Sequence, residues 1–168
     1  MKKIPVDCVR MYPDVEVPKY QTKGSAGCDV RAYLPQDEYP EGKVEIQAGE
    51  TKIIPTGLKF SLPDGWEIQI RPRSGLSAKT KLRIANSPGT LDCDYTGELK
   101  LLVDNIQSVM PDSVLNTFRI NPSPIIINHG DRIAQLVINE IAQMELNEKD
   151  NLDKTDRGEG GIGSTGTK

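Results

Sequence analysis

Apolar and polar residues alternate with period 2 along Lys43-Val-Glu-Ile-Gln47 and Trp66-Glu-Ile-Gln-Ile70. That is the pattern of strands that bury one face. Glu98-Leu-Lys-Leu-Leu-Val103 and Arg132-Ile-Ala-Gln-Leu-Val-Ile138 are denser in apolar residues and read as more fully buried strands. Between these segments lie Ala48-Gly-Glu50, Pro63-Asp-Gly65, Thr96-Gly97 and His129-Gly-Asp131, all of them turn chemistry. Twelve prolines and fifteen glycines in 168 residues leave no room for long helices. The one helix expected runs from Ser74 to Lys79, with Ser74 as its N-cap. Many short strands at close spacing predict an all-β fold, an antiparallel jelly roll or barrel. One domain over 1–146 and a glycine-rich arm over 147–168 account for the length. The stretch 106–128 breaks the strand rhythm with Pro111, Pro122 and Pro124. It is expected to be a surface excursion carrying a small extra hairpin.

Charge and cysteine usage narrow the function. The net charge is −3 and only 5% of residues are aromatic, so no basic field invites nucleic acid. An acidic chain that binds a phosphorylated ligand must cluster its arginines locally and recruit a metal ion. Cys8, Cys28 and Cys93 are odd in number and widely spaced, with no Cys-x-x-Cys pair. They read as free thiols in a reducing, cytoplasmic setting. No apolar run approaches the ~18 residues of a membrane span, and no secretory signal opens the chain.

Five segments hold groups that could do chemistry. Ser25-Ala-Gly-Cys-Asp-Val30 sets Asp29 beside an apolar strand, where a carboxylate calls for an arginine or a metal-bound water. Arg71-Pro-Arg-Ser-Gly-Leu-Ser77 puts arginines and serines where a strand gives way to a helical turn, an arrangement suited to anions. Gly89-Thr-Leu-Asp-Cys-Asp-Tyr-Thr-Gly-Glu98 is a hairpin tip. On an extended strand Asp92 and Asp94 would share one face, and two such carboxylates suit a general base. Gly130-Asp-Arg-Ile-Ala-Gln135 leads a strand in which Gln135 is a polar exception. Arg157-Gly-x-Gly-Gly-x-Gly-Ser164-Thr-Gly166 cannot bury an apolar face, but its backbone N–H groups can wrap phosphate oxygens while Arg157 grips them. No helix follows it, so it is a lid candidate and not a Walker loop.

Together and in this order, the five segments resemble the five motifs of the trimeric deoxyuridine triphosphatase (dUTPase) family, from about Ser25 to the C-terminus. The resemblance implies a homotrimer of jelly-roll subunits. It implies hydrolysis of dUTP to dUMP and pyrophosphate with Mg2+, an activity that limits uracil in DNA and supplies dUMP for thymidylate synthesis. It implies sites assembled from all three chains. By that match Asp92 is the general base. Asn86, Gly89, Thr90 and Leu91 line the hairpin that receives uracil, and Tyr95 packs on the sugar. Arg73, Ser74 and Gly75 hold phosphate oxygens with Gln135. Asp29 anchors the metal's waters or Arg73 without ligating the metal. Arg157 meets the γ-phosphate as Ile162, Gly163 and Ser164 close over the nucleotide.

Two departures and two rivals accompany the resemblance. Ile162 stands where the family usually has an aromatic ring to stack on uracil. Since such stacking is worth roughly 1–3 kcal/mol, a weaker lid and a higher KM are expected. The 106–128 stretch is the other departure, a candidate surface for a partner-binding or regulatory role. The fold-sharing rival is dCTP deaminase, whose catalytic glutamate would fall at Leu102, a residue that cannot move protons.

Overall fold

The computed structural model describes residues 2–107 and 123–161. Ten strands and one helical turn succeed one another in it. β1 (Asp7–Arg10), β4 (Thr51–Ser61), β8 (Glu98–Asn105) and β6 (Leu82–Ile84) form one sheet in the order β1-β4-β8-β6. β2 (Cys28–Arg31), β10 (Arg132–Glu140), β5 (Trp66–Pro72) and β7 (Gly89–Leu91) form the second in the order β2-β10-β5-β7. β3 (Lys43–Ile46) and β9 (Ile125–Asn128) make a separate two-stranded ribbon. Every pairing is antiparallel. The inner faces meet in one core in which Ile54, Leu58 and Val103 of the first sheet join Val30, Ile68 and Leu136 of the second. Each such side chain contributes about 1.5–3 kcal/mol through burial. This is the jelly-roll sandwich expected from the strand pattern.

Several elements depart from the sequence reading, each for a physical reason. β8 is not buried throughout. Leu99, Leu101 and Val103 point inward, while Lys100 and Leu102 are exposed, so its apolar run hides a period-2 strand. Ser74 is the first helical residue of α1 (Ser74–Lys79), not its cap. The N-cap position belongs to Arg73, in extended conformation and without a side-chain capping bond. The far end of the 106–128 stretch is not an excursion, because Ile125–Asn128 pairs residue for residue with Lys43–Ile46 and Ile127 is buried. Residues 108–122, the heart of that stretch, lie outside the described residues. Regular structure ends at Glu140, and 141–161 carries none.

β4 shows how the hairpin that follows is held. Its pairing with β8 shifts register between Pro55 and Lys59, and within the shift Gly57 has φ +67°. A Cβ there would lie 2.7 Å from Val15 Cγ2, so only glycine fits. The Gly57 N–H donates to Glu98 Oε1 at 2.8 Å, and Thr56 Oγ1 donates to Leu99 O at 2.6 Å. Those two bonds pin the start of β8 directly beyond the hairpin tip.

Candidate active site

The hairpin begins where β7 lies against β5, with Ile68 opposite Leu91, Gln69 opposite Thr90 and Ile70 opposite Gly89. Gly89 and Leu91 face inward while Thr90 is exposed. After Leu91 the chain turns, and the Tyr95 N–H donates to Asp92 O at 3.2 Å. β8 then returns along the other side. Between the two arms is a cavity of about 280 Å3, into which Asn86, Thr90, Leu91, Asp92 and Tyr95 project. Its floor and wall are apolar, with Ile70 on one side and Leu99, Leu101 and Leu102 on the other, and Lys100 brings the one cationic side chain of its lining.

Two glycines let this cavity exist. A Cβ at Gly89 would sit 3.1 Å from Asn86 Nδ2 and 3.3 Å from Ile70 Cβ. The missing side chain thus allows the Asn86 amide to fold over β7. A Cβ at Gly97 would come 2.5 Å from Tyr95 Oη. The tyrosine ring lies back over that glycine, and its hydroxyl donates to Glu98 O at 3.0 Å. Asp92 itself is exposed. Among the described residues no side-chain hydrogen bond or ion pair occupies its carboxylate.

A second group of polar residues sits where β2, β5 and β10 run side by side. Asp29 is paired across β10 with Gln135, which faces Arg71 on its other side. The Asp29 carboxylate is only 9% exposed. Its Oδ1 accepts from Arg73 Nε at 2.9 Å and from Gln135 Nε2 at 3.2 Å, and its Oδ2 accepts from Arg132 Nη1 at 3.2 Å. Burial pushes the Asp29 carboxyl up. The hydrogen bonds from Arg73 and Gln135 and the charges of Arg73 and Arg132 outweigh it, so the group is held below its ordinary value. Arg73 also donates to Arg132 O at 3.1 Å. Ser74 and Gly75 follow at the exposed start of α1.

The candidate residues therefore fall into separate groups. Asn86, Thr90, Leu91, Asp92 and Tyr95 share the cavity, with Gly89 behind Asn86. Arg73, Ser74, Gly75 and Gln135 gather around Asp29, and none of them lines the cavity. Arg157 is exposed and donates to Gly160 O at 2.8 Å. Ile162, Gly163 and Ser164 lie outside the described residues. The proposed pairing of Asp92 with Asp94 on one strand face has no basis here, because the 92–95 segment is a turn. Arg132 and Lys100 are site residues that the sequence pattern did not single out, whereas Leu102, where a deaminase would carry its glutamate, lines the cavity as well. Arg132 lies within the Gly130–Gln135 motif, and Lys100 emerges from reading β8 with period 2.

The donor set does not fit a magnesium ion ligated directly by this chain. Among the described residues no three His, Cys, Asp or Glu side chains converge, and cationic or amide donors already occupy both Asp29 oxygens. No helix among the described residues is long and apolar enough to cross a membrane.

Comparison with known proteins places the chain. The family model for dUTPase matches residues 13–110 and 114–166. The deoxyuridine 5'-triphosphate nucleotidohydrolase of Fusobacterium nucleatum is 43% identical over 166 residues, covering 99% of both chains. That of Dinoroseobacter shibae is 44% identical over 152 residues, covering 90% of this chain and 88% of the relative. Among solved structures, the dUTPase of Staphylococcus bacteriophage 80alpha with dUpNHpp superposes with a TM-score of 0.74. It shares 26% identity and covers 96% of this chain and 98% of its own. The motifs, the sandwich and these matches agree: the chain belongs to the dUTPase family.

Proposed function

We propose that this protein hydrolyses dUTP to dUMP and pyrophosphate. The observation that carries the reading is the β7–β8 cavity, in which an unengaged carboxylate, an amide and a tyrosine surround an apolar slot. A uracil ring entering between the arms would meet Asn86 and the backbone of β7. Cytosine would bring a donor where uracil offers an acceptor, and a buried mispaired group costs about 1–3 kcal/mol or more. Tyr95, folded over Gly97, would lie against the sugar and leave no space for a 2′-hydroxyl. Asp92 would accept a proton from the water that attacks the α-phosphorus. The step needs in-line placement and charge neutralisation more than covalent help. Leu102 in the cavity wall argues against deamination, since an isobutyl group transfers no proton.

Arg73, with Ser74, Gly75 and Gln135, would bind phosphate oxygens, and Arg157 the γ-phosphate. Asp29 holds Arg73 in a fixed orientation for that task. Because these groups lie apart from the cavity on one chain, we propose that each site is completed by other copies of the chain in a homotrimer. Magnesium would enter on the triphosphate, its shell completed by phosphate oxygens and water, the usual habit of this ion. Measuring pyrophosphate release from dUTP, dCTP, dTTP and UTP with magnesium tests the reading. Release from dUTP alone is expected. Release from none of them by well-folded protein would overturn the reading, and equal release from dUTP and dCTP would overturn the role given to Asn86.

A further inference from the structure

Two of the three free cysteines occupy matching places on the two sheets. Cys8 is on β1, the edge of the first sheet, and Cys28 is on β2, the edge of the second. On β1 only Cys8 is half-buried, with Asp7, Val9 and Arg10 exposed. On β2, Cys28 shares its face with Val30, which is fully buried. Both thiols therefore point between the sheets, and both pack against the common core.

The two edge strands also converge at one end. β1 lies along β4 from Ser61 to Leu58, and the Met11 N–H continues that ladder to Gly57 O. The chain leaving β2 joins the same edge of β4, where the Tyr33 N–H donates to Pro55 O at 2.9 Å. Tyr12 and Tyr33 then stack, their ring centroids 4.6 Å apart. Cys8 lies four residues before Tyr12 and Cys28 five before Tyr33, so both are within a few residues of this stacked junction. Burial raises the Cys28 thiol pKa, and Cys8 is among the neighbours whose charge adds to that shift.

We propose that Cys8 and Cys28 are an oxidisable pair whose closure to a disulfide staples β1 to β2 and shifts Asp29, the next residue on β2. Antibody-type sandwiches carry a disulfide across the core between their two sheets, and here the bond would join the two edge strands. With hydrogen peroxide as oxidant, both S–H bonds break and one S–S bond forms. The two electrons and two protons given up reduce the O–O bond to two waters. Burial raises both thiols above their ordinary pKa, so closure is slow at neutral pH and faster as pH rises. Movement of Asp29 would loosen its hold on Arg73, Arg132 and Gln135. This consequence for rate rests on the proposed function, whereas the bond itself does not.

The test oxidises full-length protein with hydrogen peroxide and maps its tryptic peptides without reduction. The expected product joins Ile4–Arg10 to Gly24–Arg31 and is lighter than the sum by two hydrogens. The thiol count under denaturing conditions should fall from three to one, and Cys8→Ser and Cys28→Ser should each abolish the link. Hydrolysis of dUTP should fall several-fold on oxidation and return with dithiothreitol, with Cys8→Ser protein insensitive. Three thiols remaining, separate oxidation of each sulfur, or links made only through Cys93 would overturn the proposal. A Cys8–Cys28 bond with unchanged hydrolysis would overturn its coupling to Asp29.

Discussion

Asp92 and Asp29 are both aspartates beside short strands, yet they sit in opposite environments. Asp92 is exposed at the mouth of an apolar cavity, on a turn after β7, and its carboxylate is not engaged by any described side chain. Asp29 is 9% exposed and accepts from three side chains, two on β10 and one on the loop after β5. The first is available to a water and a proton. The second is committed to holding cations in place. A carboxylate whose oxygens are saturated by arginine cannot serve as a base at neutral pH, while an unengaged one contributes little to the fold. The comparison thus divides chemistry from positioning within one chain.

The largest expected effect removes the chemistry alone. Asp92→Asn should lower kcat for dUTP by at least about 10^2-fold, the lower bound for losing a general base, while the melting temperature stays within about a degree or two, as for an exposed substitution. A comparable loss of stability would blur the contrast with Asp29.

Asp29→Asn should do the converse. Three donors would face a neutral amide, costing roughly 2–3 kcal/mol, less than a fully buried pair because Arg73 and Arg132 remain partly exposed. Calorimetry should show Tm lower by about 5–10 °C, and kinetics should show a raised KM as Arg73 loses its orientation. An unchanged Tm would mean the cluster is not structural.

Gly97→Ala tests the cavity's shape with a smaller change. The added methyl would force the Tyr95 ring off its seat, so kcat/KM for dUTP should drop about 10-fold from misplacement. The ring tip is exposed and can swing, so stability should change little. Discrimination against UTP should fall with it, and a variant that keeps full discrimination would remove Tyr95 from sugar selection.

The smallest effect is in the pH dependence of stability. The folded-state pKa of Asp29 is depressed below its ordinary 3.8. Its contribution is therefore fully present above that value and lost as pH falls through the folded-state pKa. The stability gap between wild type and Asp29→Asn should be constant above about pH 5 and shrink below the ordinary pKa in acid unfolding. A gap that widened toward acid would reverse the sign of the argument.

The sequence made the sandwich legible wherever alternation was uninterrupted, as in β5. It concealed β4, at eleven residues the longest strand among the described residues, because Pro55 and Gly57 look like breakers. In the structure they mark a register shift that Gly57 accommodates with positive φ. β9 was hidden in the same way behind Pro122 and Pro124. The hairpin tip could be placed from local spacing, since Asn86, Asp92 and Tyr95 are near neighbours. The Asp29 cluster could not. Arg73 and Gln135 are 44 and 106 residues from Asp29, and only the strand order β2-β10-β5 brings them together. Local pattern reports which face a side chain takes, whereas the pairing of distant strands decides what it meets.

The central claim is that the cavity and the Asp29 cluster of one chain serve different sites. Subunit mixing tests it directly, with Asp92→Asn and Arg73→Ala proteins, each of low activity alone, unfolded together and reassembled. If a site takes Asp92 from one copy and Arg73 from another, random assortment leaves about a quarter of sites with both groups intact, and dUTP hydrolysis should recover to about that fraction of wild type. Mixed assemblies with no recovery above the separate variants would place both groups in the same chain's site and contradict the account.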